Sequence, residues 1–207
     1  MRDYRAMKVP QHFLDKVIAP ACNKNPDIIE AFRTTPREYF MDEAMRLKAY
    51  NDDALPIGYG QTISQPSLVA MMLDKLEPSK SLTCLEIGAG SGFVSSLLGK
   101  LMSEVYAMEL IPELVRSAQQ KLRTMLLWNV QVMTANGAMG YPEKGPYPRI
   151  LVSCGANSMP QPLLDQLAEG GIMLIPINGV LKKVTKTDGE IREEALAKVA
   201  FVNFVNT

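Results

Sequence analysis

Two stretches of this chain hold residue types whose spacing can do chemistry: Leu85-Glu86-Ile87-Gly88-Ala89-Gly90-Ser91-Gly92 and, upstream of it, Leu55-Pro56-Ile57-Gly58-Tyr59-Gly60-Gln61-Thr62-Ile63-Ser64-Gln65-Pro66. The glycine run follows an apolar strand, Leu82 to Ile87, and opens an apolar-periodic helix, Ser91 to Leu101. That strand, turn and helix context is what a nucleotide loop requires, because glycine lets the backbone approach a ligand closely. A dinucleotide fingerprint sets its last glycine where Phe93 stands, whereas Gly92 comes one residue early, so NAD is disfavoured without being removed. Two acids add to the pattern: Glu86 in front of the loop, and Glu109 at the end of the next expected strand, Glu104 to Glu109. Glu109 lies at the spacing at which a carboxylate accepts both hydroxyls of a ribose.

A Glu-x-Gly-x-Gly-x-Gly loop with such a distal acid suits S-adenosylmethionine, and it resembles motif I of the class I methyltransferases. The plainer alternative is a glycine-rich turn that holds no ligand. Metal chemistry finds no support. His12 is the single histidine and reads as a surface residue, and Cys22, Cys84 and Cys154 lack metal-like spacing. An odd cysteine count argues against a disulfide framework, and Cys84, within the first strand, and Cys154, at the end of a later one, read as core residues.

Composition narrows the remaining classes. A chain of 207 residues with 47% hydrophobic and 21% charged residues is ordinary for a globular domain, so one methyltransferase domain over 1–207 is expected. Lys+Arg and Asp+Glu balance at 22 each, which gives no basic surplus for nucleic acid. No apolar run approaches the length of a membrane span, and Met1-Arg2-Asp3-Tyr4-Arg5 lacks the apolar stretch of a signal peptide. The expectation is a cytoplasmic protein without nucleic-acid or membrane partners; oligomeric state is not written in the sequence, and a monomer is taken.

The elements that must position these residues follow from periodicity. A helical lead over 1–50 includes a helix begun by Asn25-Pro26-Asp27, with Ile28, Ile29 and Phe32 on one face, and a turn from Thr35-Pro36-Arg37 to Phe40; it is expected to cover one edge. Tyr50 to Gln61 has neither period and reads as loop, within a substrate segment 51–66. Ser64 then reads as the N-cap of a helix whose stripe is Leu68, Val69, Met72, Leu73 and Leu76, with Met71 and Met72 taken as core. In the cofactor core, 67–179, a helix from Pro112 to about Leu126 follows the Glu104 strand; Val130 to Met133, Ile150 to Ser153 and Ile172 to Ile177 are further strands. A short helix, Pro162 to Leu167, is read as closed by Gly170-Gly171. Over 180–207, Val180 to Thr187, the Asp188-Gly189 turn and Leu196 to Val205 read as a hairpin. The alternation defines an α/β fold, a Rossmann-like, doubly wound, mostly parallel sheet, with ligands at the carboxyl ends of its strands.

From about Asn25 onward the chain resembles the protein-L-isoaspartate (D-aspartate) O-methyltransferases. Carrying the resemblance are Leu55-Pro56-Ile57-Gly58, Thr62-Ile63-Ser64-Gln65-Pro66, Met139-Gly140-Tyr141 with Pro146-Tyr147, Pro160 to Leu167, Gly170-Gly171 and Ile175-Pro176. It implies that Ser64 is the active-site serine and that Leu55, Pro56 and Ile57, with Thr62, enclose an isoaspartyl side chain. It also implies cofactor contacts at Ile63, Ser64, Glu86, Gly88, Ala89, Gly90, Gly92, Glu109, Leu110, Asn136 and Gly137. The implied reaction is methyl transfer from S-adenosyl-L-methionine to the carboxylate of L-isoaspartyl, and D-aspartyl, residues in damaged proteins and peptides. Ester formation then allows a succinimide that partly reopens as normal aspartate.

Carboxylates are nucleophiles at neutral pH and sulfonium is a good leaving group, so positioning has to supply the rate, with Ser64 Oγ as an orienting hydrogen bond. The helix N-terminus after Ser64 is expected to favour the substrate carboxylate. This sequence departs from the family pattern at Asn136, where Asp is usual beside the adenine, at Phe93 for Tyr, at Pro148-Arg149 and at Cys154-Gly155. Two other readings stay open: a peptide-tailoring enzyme that methylates a normal aspartate, and a catalytically weak cofactor-binding relative.

Overall fold

A computed structural model describes residues 3–203 of the chain. Its centre is a seven-stranded sheet in the order β5-β4-β3-β6-β7-β8-β9. The parallel strands are β3 (Thr83–Ile87), β4 (Glu104–Glu109), β5 (Val130–Thr134), β6 (Tyr147–Val152) and β7 (Leu167–Ile177), and β8 (Val180–Thr187) and β9 (Glu190–Lys198) add antiparallel at one side. From β3 the chain runs outward through β4 to β5, then returns to the other side of β3 with β6. The sheet order therefore reverses between β3 and β6, and an open crevice forms at such a point.

Both faces are covered because the central strands are buried on both sides. Cys84 of β3, Val105 and Ala107 of β4 and Leu151 of β6 point to one core, whereas Leu85, Ile87, Tyr106, Met108, Ile150 and Val152 point to the other. On the first face lie α4 (Pro66–Leu76), α5 (Phe93–Leu101) and α6 (Pro112–Thr124); the short α7 (Gln161–Asp165) belongs to the second, through Leu163. α6 carries its apolar residues Leu114, Val115, Ala118 and Leu122 at helical spacing, and all four are buried.

The N-terminal lead is helical as expected. α1 (Gln11–Phe13) and α2 (Ala19–Ala21) flank a π-helical turn, Leu14–Ile18. Pro20 has no amide to continue the α pattern there. α3 (Pro26–Arg33) is capped by Asn25, whose Oδ1 accepts from Asp27 N at 3.1 Å and Ile28 N at 3.3 Å, a cap worth about 1 kcal/mol. The lead covers one side of the domain, on its helix layer: α3 packs on α5, and Phe93 meets Phe32 and Phe40 edge to face at centroid distances of 5.9 and 5.5 Å.

Three stretches differ from their periodicity reading. The Tyr50 to Gln61 segment is not all loop, because β1 (Leu55–Gly58) pairs antiparallel with β2 (Gln61–Ile63). Their turn, Gly58-Tyr59-Gly60, has φ of 87°, 54° and 70°, and the two glycines make that course accessible. Gly170-Gly171 does not close a helix: α7 ends at Asp165, and the glycine pair bulges inside β7 between the rows Tyr147↔Leu167 and Arg149↔Ile172. The second hairpin arm begins at Glu190 and ends at Lys198, where the charged run Glu190 to Glu194 conceals an exposed edge strand. Of the expected arm, Phe204 and Val205 lie outside the described residues; the chain from Val199 instead leaves the sheet and pairs Asn203 with Gly155.

Candidate active site

Each loop at the carboxyl ends of β3 to β6 contributes to one cleft. Gly88 follows β3, Glu109, Leu110 and Ile111 follow β4, Ala135, Asn136 and Gly137 follow β5, and Cys154 follows β6. The topology explains this convergence, since the crevice lies at the reversal between β3 and β6. Gln61 of β2 and Asn203 of the returning C-terminal segment complete the walls.

The glycine loop is held against β4 by its own backbone. Gly88 N and Ala89 N donate to Met108 O at 2.8 and 3.1 Å, and Gly90 N donates to Glu109 Oε2 at 2.8 Å. Ile111 N donates to Glu109 Oε1 at 3.0 Å. Each carboxylate oxygen thus has one amide partner and keeps acceptor capacity toward the cleft, where Glu109 is 8% exposed. Two oxygens held apart in this way match a vicinal diol. Gly92, at φ 86°, starts α5, and a Cβ there would meet Ala118 Cβ at 2.9 Å, so it permits the close approach of α5 to α6. Gly137 serves the floor, because a Cβ there would lie 2.3 Å from Ile87 Cγ2.

The structure does not bring every expected residue to this cleft. Glu86 is fully buried on the α5 side, where Ser95 Oγ donates to its Oε2 at 2.5 Å. Burial pushes its carboxyl up to about 8, against the Ser95 hydrogen bond and with help from the charge of Glu109. Alternation along β3 is the reason: Leu85 and Ile87 face one core and Glu86 the other. Ala89 is buried, and Ile63 is buried with its carbonyl turned to Arg37, so neither side chain lines the cleft. Asn136 does line it, and its Oδ1 accepts from Ala138 N at 3.0 Å, capping the turn Gly137–Met139. Cys154 packs against the second core and also lines the cleft wall, its thiol pushed up to about 12 by burial and by Glu109.

A second groove lies across β2. Thr62, Ser64, Gln65, Ser67, Leu68 and Met71 form one side, and Ala197 to Phe201 form the other. Among the described residues Ser64 Oγ has no hydrogen-bond partner, and it opens on this groove. Ser64 is not the N-cap: Gln65 holds that place, and its side chain makes no cap bond. Asp52 does the capping from outside, accepting from Ser67 N at 2.8 Å through Oδ1 and from Ser67 Oγ at 2.7 Å and Gln65 Nε2 at 3.0 Å through Oδ2. The helix N-terminus is therefore already matched to an anion of the chain itself and is not offered to a substrate carboxylate.

Of the expected substrate residues, Leu55 and Ile57 turn inward. Ile57 Cδ1 lies 3.4 Å from where a Cβ on Gly90 would be, laying the hairpin over the glycine loop. Pro56 and Thr62 are partners in register and both exposed, so they form the hairpin's open face. Sequence reasoning missed Gln61, Asn203, Asp52 and Arg37. Arg37, 1% exposed, donates to five carbonyls: Ala49 O at 2.8 Å, Asn51 O at 3.4 Å, Asp53 O at 2.7 Å, Ile63 O at 3.3 Å and Ser64 O at 3.0 Å. An arginine in a turn gives no signal of such burial; only the polar carbonyl-rich loop it serves could have hinted at it.

The sheet order, the cleft at its reversal and the paired acceptors of Glu109 define a Rossmann-like fold of the class I methyltransferase type. A solved S-adenosyl-L-homocysteine complex of a protein-L-isoaspartate O-methyltransferase from Plasmodium falciparum superposes with a TM-score of 0.83 over 99% of each chain, at 23% identity. Residues 8–207 match the family model described as protein-L-isoaspartate (D-aspartate) O-methyltransferase, and the chain belongs to that family. Protein-L-isoaspartate O-methyltransferases from Shewanella halifaxensis, 41% identical over 88% of each chain, and Geotalea uraniireducens, 39% identical over 99% of this chain and 94% of its own, are close relatives.

Proposed function

We propose that this protein is a repair methyltransferase that transfers a methyl group from S-adenosyl-L-methionine to the free carboxylate of L-isoaspartyl, and D-aspartyl, residues in damaged proteins and peptides. One observation carries the reading: β2 and the residue after it line two neighbouring clefts, Gln61 the Glu109 cleft and Thr62 and Ser64 the groove. Family membership over 8–207 supports it. The cleft fits the donor. Glu109 offers one acceptor site per oxygen for ribose hydroxyls, Leu110 is an apolar side chain left 37% exposed beside it, and Gly88 and Gly137 keep the floor free of side chains.

When bound, S-adenosyl-L-methionine supplies an electrophilic methyl on sulfonium, which leaves as a neutral thioether. The rest is positioning by the chain. The substrate carboxylate needs no general base, since it is ionised at neutral pH. Ser64 Oγ would donate to one carboxylate oxygen and leave the other free to react, and the groove walls would strip water from it. Pro56 and Thr62 contact the polypeptide that carries it. Cofactor contacts are assigned to Gly88, Gly90, Gly92, Glu109, Leu110, Asn136 and Gly137, with Gln61 and Asn203 added. We assign the whole chain to a single methyltransferase domain acting as a cytoplasmic monomer without nucleic-acid partners; the balance of 22 basic and 22 acidic residues supports the last point.

The test is methyl transfer from labelled S-adenosyl-L-methionine to two peptides that differ only in an isoaspartyl or a normal aspartyl linkage. Base-labile label on the isoaspartyl peptide alone is expected. Label on neither peptide, with cofactor bound, would replace this reading with a dedicated peptide substrate.

A further inference from the structure

Two charged side chains hold the chain on either side of Ser64, Arg37 at Ile63 and Ser64 and Asp52 at Gln65 and Ser67. Arg37 comes from the helical lead, and its Nη2 donates to Ser64 O at 3.0 Å, to Ile63 O at 3.3 Å and to Asp53 O at 2.7 Å. Its Nη1 takes Ala49 O at 2.8 Å and Asn51 O at 3.4 Å. One planar fork thus ties the entry of the 49–64 segment to its exit. Asp52, inside that entry, holds the residues after Ser64 through Ser67 N, Ser67 Oγ and Gln65 Nε2. Among the described residues no ion pair joins Arg37 to Asp52.

We propose that Arg37 and Asp52 are a positioning pair that fixes the backbone on both sides of Ser64, so that its unpartnered Oγ is presented to the substrate carboxylate; this rests on reading Ser64 as the orienting hydroxyl. The backbone around Ser64 has little regular structure of its own, since β2 ends at Ile63 and α4 begins at Pro66. Without the pair, the Ser64 segment would sample several orientations, and a hydrogen bond misplaced by about 1 Å forfeits much of its catalytic effect. Burying a guanidinium with only carbonyl partners is costly, and burial lowers its pKa to about 10 even with Asp52 and Asp53 nearby. An apolar side chain could fill the same space, but it could not gather five carbonyls in fixed directions. Both charges meet at the backbone of residues 49–67, the segment that carries Ser64.

Asp52→Asn tests the pair in the full chain. The variant keeps the acceptor for Ser67 N but turns a donor, Nδ2, toward Gln65 Nε2. Expected is a fall in kcat on the isoaspartyl peptide of about tenfold, with cofactor Kd by calorimetry and peptide KM within about twofold of the parent. Placed on a Ser64→Ala background, Asp52→Asn should cause no further loss, because the group it positions is gone. Arg37→Lys is the independent arm: one ammonium cannot span five carbonyls, and its kcat loss should likewise vanish on the Ser64→Ala background. Unchanged kcat in Asp52→Asn, or losses that multiply with that of Ser64→Ala, would overturn the pair. If Ser64→Ala itself turns over at the parental rate, the reading of Ser64 falls first, and the pair falls with it.

Discussion

Glu109 does two jobs with one carboxylate. It accepts amides from the glycine loop and from the start of the next loop, and it keeps acceptor capacity toward the cleft. On the proposed ribose role, Glu109→Ala would remove those acceptors and free Gly90 N together, so S-adenosyl-L-methionine Kd by calorimetry should rise about 10- to 100-fold, the range for hydrogen bonds to a charged group. Ser64→Ala is expected to act differently, lowering kcat about tenfold with cofactor Kd within about twofold. Glu86 has a pH signature. Burial holds its folded pKa at about 8, above the ordinary 4.5 of a glutamate, so the folded state binds the proton more tightly. Its contribution to stability therefore falls as pH rises from about 4.5 and levels above about 8, where both states are ionised. Glu86→Gln mimics the protonated form, and the Tm difference from the parent should grow in the variant's favour from pH 5 to pH 8 and then stay flat; a difference independent of pH would place the carboxyl in water.

At the scale of elements, the site depends on how closely neighbours approach. Gly137→Ala would set a Cβ 2.3 Å from Ile87 Cγ2, pushing the post-β5 turn into the cleft or off the strand. Weaker cofactor binding and a lower Tm are both expected, read by calorimetry and thermal melting. Phe93 is the first residue of α5 and 2% exposed, with Phe32 and Phe40 on its ring. Phe93→Ala should cost about 3–5 kcal/mol in denaturant unfolding, without touching a group of the cleft. Strongly periodic elements were legible in the sequence: β4 occupies Glu104–Glu109 as read, and α6 begins at Pro112. Strands of three or four residues were not. β1 and β2 are short, β1 holds Pro56 and Gly58 and the turn between them Gly60, and Arg37 ties their base through Asp53 O and Ile63 O. Likewise the second hairpin arm is read only from Leu196, and its charged start from Glu190 is missed, because an edge strand needs no apolar alternation to be held by β8. Pro148-Arg149 also acquires a role that local sequence does not reveal, since Arg149 Nε donates to Glu77 O at 3.1 Å at the left-handed end of α4.

For the whole molecule, a ligand held at the carboxyl ends of β3 to β6 would be coupled to folding, since the cleft exists only when separate strands are assembled. At about 100 times its Kd, S-adenosyl-L-methionine should add about 2.7 kcal/mol to unfolding stability, raising Tm by several degrees in a melting scan. No helix among the described residues is long and apolar enough to cross a membrane. The sequence by itself determined the fold class, the glycine loop, the acid at the end of β4 and the Ser64 segment, because each depends on local spacing: period two, period 3.6, or a turn that only glycine relieves. Tertiary structure alone decided which way those residues face. It turned Glu86 into a core and Leu55 and Ile57 under the hairpin, and it set Asp52 rather than Ser64 at the start of α4. It also carried Asn203 back to the cleft and enclosed Arg37 among five carbonyls. Facing and long-range capping are set by neighbours remote in the chain, and no residue's local pattern records what the folded backbone will bring beside it.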